Sequence, residues 1–310
     1  MSGMTQNVKL DFRPVAIGDY DRVFSHTSAW GEGSCQHSPV SMWSLGEKYG
    51  DAVCVSEGFL YTLRSRLCDA DFRVYLAPLG PGDMAGAYRR IVDDAHAHGQ
   101  RVKFLTLTER ASGALDAALP GRFDIVEDRD LAEYICKTEV VANFPGHAME
   151  RKRTEVHAFW RAYGDRATVT PIAPRDVEEV LAFEAKWVAQ NEETHDVNAL
   201  RREQRMIERQ MRNLDALHIA GIALRIDGRV HGFAYGTPLS ARFYDAIVEK
   251  GDKDIPHIYR VLRMESARQC AGSCEYFNLE EDVGVEGLRS MKLAYQPEFL
   301  LRKFVATERN

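Results

Sequence analysis

Asn278-Leu279-Glu280-Glu281-Asp282-Val283-Gly284 is the densest polar knot in this sequence of 310 residues, and it follows directly on Glu275-Tyr276-Phe277. Three carboxylates that close together raise one another's pKa unless a cation faces them. The next segment supplies two: Arg289 and Lys292 lie three apart on one face of a helix, with Leu288, Met291 and Leu293 available for packing. Acids beside cations at a strand end suit proton transfer next to a developing negative charge. They equally suit a capped helix, with Asp282 or Glu281 near the positive end of the helix dipole. Spacing leaves both readings open.

The remaining reactive residue types are scattered. Six cysteines, at 35, 54, 68, 136, 270 and 274, include no C-x-x-C pair, so a disulfide framework and a structural zinc site are both disfavoured and reduced thiols are expected. Cys270 and Cys274 are four apart and read as small buried apolar residues near a helix end. His147, His157, His231 and His257 have no H-x-x-x-H or H-x-E spacing, so no metal site is expected. Arg151-Lys152-Arg153 opens one helix. Arg201, Arg205, Arg209 and Arg212 line a face of another, where Glu203 and Glu208 make a salt-bridged surface the better reading than a phosphate-binding stripe. Trp187 reads as core packing, and Trp30 sits in a Gly-flanked loop.

These groups must be positioned by alternating strands and helices. In the first half the reading gives strands at Phe12 to Val15, Ala52 to Ser56, Phe59 to Leu63, Phe72 to Leu76, Val102 to Leu107 and Phe123 to Glu127. Helices are expected at Asp19 to Ser25, Pro39 to Tyr49, Met84 to His98 and Arg110 to Leu119. Glu57-Gly58 and, in the second half, Asp227-Gly228 are hairpin turns. The second half has helices at Glu150 to Tyr163, from Pro174 to about Gln190, at Asn198 to Asn213, Pro256 to Ala271 and Glu286 to Ala294. Its strands are Thr168 to Ile172, His218 to Ile226, Val230 to Leu239, Tyr244 to Val248, Tyr276 to Leu279 and Leu300 to Ala306. The expected class is α/β (α+β): two domains, 1–145 and 146–310, each a mixed, mostly antiparallel sheet flanked by helices.

Composition sets the bounds. Hydrophobic residues are 45% and charged residues 28% of the chain, ordinary globular values that exclude a disordered or collagen-like chain. Forty Lys and Arg against 46 Asp and Glu give a net charge of −6, so contact with a polyanion must be a local patch. No apolar run approaches the roughly 18 residues that span a bilayer, and Met1 to Leu10 is polar with no apolar leader core. A cytoplasmic chain without a transmembrane segment is expected.

The run N-L-E-E-D-V-G-V-E-G-L-R-S-M-K-L-A-Y-Q-P over 278–297 resembles the C-terminal signature of the soluble domain of phosphatidylglycerol lysyltransferases, a large bacterial family. Glu133 to Thr138, Phe144-Pro145-Gly146 and Arg151 to Phe159 resemble that family's tyrosine strand, glycine and basic helix, with Thr154 where an Asn is usual. Ser41-Met42-Trp43 with Tyr49, and Tyr75 to Gly80, fit more loosely. The resemblance implies a tandem of two GNAT-type acyltransferase domains. It also implies an activity that moves an aminoacyl group from aminoacyl-tRNA, or another activated acyl donor, to a hydroxyl or amine on a small-molecule or peptide acceptor.

By matched position the resemblance makes Asp282 or Glu281 the proton acceptor, Lys292 and Arg289 the charge-neutralising cations and Tyr295 a hydrogen-bond donor. Arg153, Lys152, Asn278 and Glu249 are then substrate-binding. No cofactor is expected. Glu249 to Pro256, after the strand at 244–248, holds a single glycine where ordinary acetyltransferases carry a glycine-rich pyrophosphate loop. A CoA-dependent N-acyltransferase and a non-catalytic binding or regulatory module on the same fold stay open as rivals, because function lives in the site and not in the fold.

Overall fold

The computed structural model describes residues 10–192 and 196–310, so the N-terminal expectation at 1–9 lies outside the described residues. In chain order the strands are β1 Arg13–Pro14, β2 Asp51–Ser56, β3 Phe59–Arg64, β4 Phe72–Tyr75, β5 Arg101–Thr108, β6 Phe123–Glu127, β7 Glu133–Lys137, β8 Ala167–Pro171, β9 Ala220–Ile226, β10 Arg229–Pro238, β11 Phe243–Gly251, β12 Tyr276–Glu281, β13 Phe299–Leu301 and β14 Lys303–Glu308. The helices are α1 Tyr20–Trp30, α2 Pro39–Ser44, α3 Met84–Ala97, α4 Glu109–Ala118, α5 Thr138–Asn143, α6 Glu150–Tyr163, α7 Val177–Asn191, α8 Val197–Met211, α9 Ile258–Cys270 and α10 Glu286–Leu293.

Strand pairing sorts these elements into two seven-stranded sheets. The first runs β1-β2-β3-β4-β5-β14-β6 and the second β13-β7-β12-β11-β10-β9-β8. Two compact units follow, one of residues 10–32, 41–132 and 301–310, the other of residues 33–40 and 133–300. The units therefore follow the ladders rather than one cut in the chain. The first sheet is antiparallel except for β4 with β5, and in the second β11 with β12 is parallel among the antiparallel pairs that run from β7 to β8.

In the first unit, α3 and α4 bury Tyr88, Ile91 and Leu115 against Tyr61, Tyr75, Phe104 and Leu107 of the sheet. The alternation of apolar residues along β5 and the helical spacing of Ala87, Ile91 and Ala95 present these faces to one another. The β2–β3 hairpin turns at Glu57 and Gly58, with φ of 49° and 80°. Two successive left-handed residues match the twist of the flanking strands, which is why a small flexible residue stands second.

In the second unit, α9 packs against α5, α6 and strands β9 to β11. Phe144, Phe159, Leu224, Val261, Leu262, Phe277 and Tyr295 are buried in one cluster there. Trp187 of α7 is half-buried, and its indole N–H donates to the carbonyl of Gly251 at 3.1 Å. Asp227 and Gly228, with φ of 51° and 76°, close the β9–β10 hairpin in the same way as the first.

Three sequence readings change. Pro39 to Tyr49 is helical only to Ser44. Thr138–Asn143 is a helix that periodicity did not show, since six residues are too few to display a 3.6-residue period. Leu300 to Ala306 is two strands in different sheets, broken at Arg302, whose guanidinium pairs with Glu127 and Glu109.

Candidate functional site

The site grows from the parallel pair in the second unit. β11 and β12 pair over three positions only, Phe243↔Tyr276, Tyr244↔Phe277 and Asp245↔Asn278. Past Asp245 and Asn278 the ladder stops, although β11 continues to Gly251 and β12 to Glu281. The opening is produced from both sides. On β10 a register shift between Tyr235 and Thr237 puts Gly236 against β11, so close that a Cβ there would lie 1.8 Å from the carbonyl oxygen of Asp245. On β12 the pairing with β7 shifts between Asn278 and Glu281, and Glu280 adopts φ of 59°. Bulges of this kind re-aim side chains and end pairing.

Asn278 is the anchor of the opening. Fully buried, its amide donates to the carbonyl of Gly33 at 3.0 Å and to Glu133, while its side-chain oxygen accepts from the backbone of Glu280 at 2.7 Å. Glu133 in turn accepts from Ser34 Oγ at 2.7 Å and from the backbone N–H of Cys35 at 2.9 Å. These bonds tie the segment 33–35 and the backbone of Glu280 to β7 and β12. Glu281 accepts from Cys35 Sγ at 3.3 Å and from the Gln36 amide.

Two acids of the opening are left over. Asp245 is completely buried and neither carboxylate oxygen has a hydrogen-bond partner. Burial, with Glu280, Glu133 and Glu281 nearby, pushes its carboxyl far above the usual range, against a smaller opposing pull from Lys292. Glu280 is only half-buried and reaches toward the same region; burial and the charge of Glu281 push its carboxyl up to about 8, with Lys292 pulling the other way. Lys292 of α10 is buried, and its ammonium donates to the carbonyl of Glu281. Desolvation lowers its pKa, while Glu280 and Glu281 work to restore it. Four acids thus crowd one lysine, and Asp245 and Glu280 are held toward their protonated forms, a state that a cationic ligand would reverse.

Asp282 stands beside this opening in a different state. Burial works against its charge, but hydrogen bonds from Arg289, Tyr134 and the backbone of Gly284 outweigh that cost and hold the carboxyl well below the usual range. A carboxylate so held is a weak proton acceptor. Its partner Arg289 is committed to it, at 2.9 and 3.0 Å.

A second cluster surrounds Tyr295. Arg260 donates to its hydroxyl at 2.8 Å, and Lys152, Arg260 and Arg263 lie 5.2, 5.6 and 5.6 Å from the ring centre. Lys152 also donates to the carbonyl of Ala294, Arg260 pairs with Glu155 at 2.7 Å and Arg263 with Glu249 at 2.8 Å. Burial raises the carboxyl of Glu249 and the phenol of Tyr295 and lowers Lys152. Arg153 lies outside both clusters and clasps the carbonyls of Phe144 and Gly146.

The nine residues singled out in the sequence therefore divide. Asn278, Glu281 and Lys292 meet at the strand opening, Asp282 and Arg289 form the adjacent pair, Lys152, Glu249 and Tyr295 gather in the second cluster, and Arg153 stands apart on the carbonyls of Phe144 and Gly146. Asp245, Glu133, Ser34, Cys35, Arg260 and Arg263 were not foreseen. Asp245 lies inside an apolar strand, and the only signal for it was an acid where strand alternation had no need of one. On α8, Arg201 pairs with Glu192 and Arg212 with Glu178 and Glu208. Among the described residues no group of three or more His, Cys, Asp and Glu side chains is placed to hold a metal ion. Nor is any described helix long and apolar enough to cross a membrane.

Two mixed sheets flanked by helices, one opened beside a buried acid, give the mixed α/β architecture expected from the sequence. The chain belongs to the family described as phosphatidylglycerol lysyltransferase, C-terminal, whose model matches residues 48–307. A conserved protein of unknown function from Bacteroides thetaiotaomicron is 28% identical, with 97% of this chain and 100% of that one covered and a TM-score of 0.90. Two further structures share the fold at lower identity. The C-terminal domain of a protein assigned as a lysylphosphatidylglycerol synthetase from Agrobacterium fabrum is 14% identical, with 94% and 92% covered and a TM-score of 0.67. L-PGS from Bacillus licheniformis is 13% identical, with 98% and 94% covered and a TM-score of 0.65. No curated protein matches this chain.

Proposed function

We propose that this protein transfers an aminoacyl group from aminoacyl-tRNA to a hydroxyl or amine acceptor, with the chemistry at the opening between β11 and β12. The family and the fold support a transferase. The observation that carries the finer reading is Asp245, buried with both oxygens unpartnered among acids that outnumber the local cations. An aminoacyl ester brings an ammonium group with it, and Asp245 is the group to receive it. Glu280, half-buried and with its carboxyl near 8, then takes the proton of the attacking hydroxyl or amine. A bond forms from that acceptor to the ester carbonyl carbon, the bond from that carbon to the tRNA ribose oxygen breaks, and the proton held by Glu280 leaves on the tRNA hydroxyl. Lys292 is the cation nearest the acids and steadies the oxyanion that appears between these steps. Asn278, Glu133, Asp282 and Arg289 hold the strand and the helix that carry Glu280 and Lys292.

Calorimetry with lysinamide and alaninamide tests the reading without requiring the acceptor. Binding is expected for the free amines. It should be lost on N-acetylation and weakened at least about tenfold in Asp245→Asn, a loss of about 1.4 kcal/mol. Equal binding of the N-acetylated amides would overturn it. In single-turnover transfer from a charged tRNA pool, Glu280→Gln should lower the rate by about 10²- to 10⁴-fold. An unchanged rate would return the chain to the non-catalytic alternative.

A further inference from the structure

We propose that Cys270 and Cys274 form a peroxide-sensitive dithiol that closes to an intrachain disulfide. Cys270 is the last residue of α9, and the backbone makes one further turn beyond it, with the N–H of Cys274 donating to the carbonyl of Cys270 at 3.1 Å. Residues four apart on such a turn have Cα atoms about 6 Å apart, inside the span a disulfide bridges. The two thiols are hydrogen-bonding neighbours, and each also meets a carbonyl of its own. Cys274 Sγ lies 3.4 Å from the carbonyl of Cys270 and 3.4 Å from Thr138 Oγ1, and Cys270 Sγ lies 3.4 Å from the carbonyl of Ala267. To form the bond, the Cys270 side chain has to turn away from the Ala267 carbonyl that it now meets.

The pair is divided into an attacking and a resolving member by exposure. Cys274 is half-buried, whereas Cys270 is 5% exposed. Hydrogen bonding from Cys270, and more weakly from Thr138, brings the Cys274 thiol down to about 7 in spite of burial, so that much of it is thiolate near neutral pH. Burial holds Cys35 and Cys54 above the ordinary thiol value and Cys136 up to about 12.

In the reaction, the Cys274 thiolate attacks one oxygen of hydrogen peroxide, the O–O bond breaks, and hydroxide leaves and takes up a proton as water. The sulfur of Cys270 then attacks the sulfenic sulfur, the S–O bond breaks, the S–S bond forms and a second water leaves. Two electrons pass from the thiols to the peroxide. Closure draws Cys274 off Thr138, the first residue of α5, whose N–H also donates to the carbonyl of Glu275 at 2.9 Å. Strand β12 starts at the next residue, so the bond fixes the turn that leads from α9 into the strand carrying Asn278 and Glu280.

The test uses the full chain, reduced and then treated with hydrogen peroxide, with the thiols alkylated and mapped by mass spectrometry over time. Cys274 should be oxidised about tenfold faster than the other half-buried thiols, Cys54 and Cys68. The peptide carrying 270 and 274 should lose two hydrogens. In Cys270→Ser a sulfenic acid should persist on Cys274 and be trapped by dimedone, and in Cys274→Ser residue 270 should stay reduced. Oxidation of Cys274 no faster than that of Cys68, or its passage to sulfinic acid with Cys270 still reduced, would overturn the proposal. Mapping the native chain decides this even where a variant folds poorly.

Discussion

Arg289 grips Asp282 through two parallel hydrogen bonds, Nε to Oδ2 at 3.0 Å and Nη2 to Oδ1 at 2.9 Å, with the carboxylate wholly buried and the guanidinium about a quarter exposed. This bidentate pair ties the first turns of α10 to the end of β12, and so fixes Lys292 relative to Glu280 and Glu281. Removal of Arg289 takes the charged partner from a buried carboxylate that Tyr134 and the Gly284 N–H also hold.

Arg289→Ala is therefore expected to lower stability by about 3–5 kcal/mol, because the buried carboxylate loses its partner. Denaturant unfolding measures this, and a loss below about 1 kcal/mol would show the pair to behave as an exposed one. Because the native carboxyl of Asp282 is depressed, its stabilising contribution is complete above the ordinary carboxylate pKa of about 3.9 and fades as pH falls below that value.

Glu280 carries the opposite sign. With its native carboxyl near 8 and an unfolded value of about 4.3, the folded state binds the extra proton between those limits, so stability falls as pH rises through them. Glu280→Gln should flatten that part of the pH–stability curve. In the native protein the transfer rate should rise with pH toward a plateau above about 8, as expected of a base that must first lose its proton. A rate independent of pH between 6 and 9 would remove Glu280 from the proton-accepting role.

Gly236→Ala should be severely destabilising. Its Cβ would meet the Asp245 carbonyl at 1.8 Å and the Tyr244 ring at 2.6 Å; the carbonyl belongs to the strand paired with β10, and the ring is buried in the core. The expected loss is about 3 kcal/mol or more. Gly58→Ala is the control: its φ of 80° is strained for alanine but no atom lies within 4 Å of the new carbon, so only about 1 kcal/mol is expected to be lost. Similar melting temperatures for the two variants would contradict this account of the strand opening.

CoA should not stabilise the protein. At the turn after β11 the Asp252 carboxylate accepts from His231 and from the backbone of Asp254 at 3.1 Å, and those contacts keep its carboxyl below the ordinary range despite burial. An anionic side chain occupies the turn in which a pyrophosphate would need free amides. Thermal shift measures it: saturation at about 100 times Kd would add about 2.7 kcal/mol, and any such gain would reverse the choice of donor.

What the chain order alone determined is what depends on local period and local turn chemistry. Most strands and helices, both hairpins and the polar knot at 278–284 followed by its two cations were legible, because side chains two, three or four apart face one another wherever the backbone is regular. The resemblance of 278–297 to a known family was legible for the same reason, as a fixed spacing. Which cation meets which acid was not. Arg289 and Lys292 look interchangeable along the helix, and only the fold sends one to Asp282 and the other toward Glu280 and Glu281. Asp245 reads as an interruption in an apolar strand. It becomes a candidate binding group because a parallel partner 33 residues away leaves it after three paired positions, in a buried space where its charge has no donor to meet. Desolvation and long-range charge are properties of the packed chain, so the titration behaviour of the site was decided only when strands from distant parts of the sequence were brought side by side.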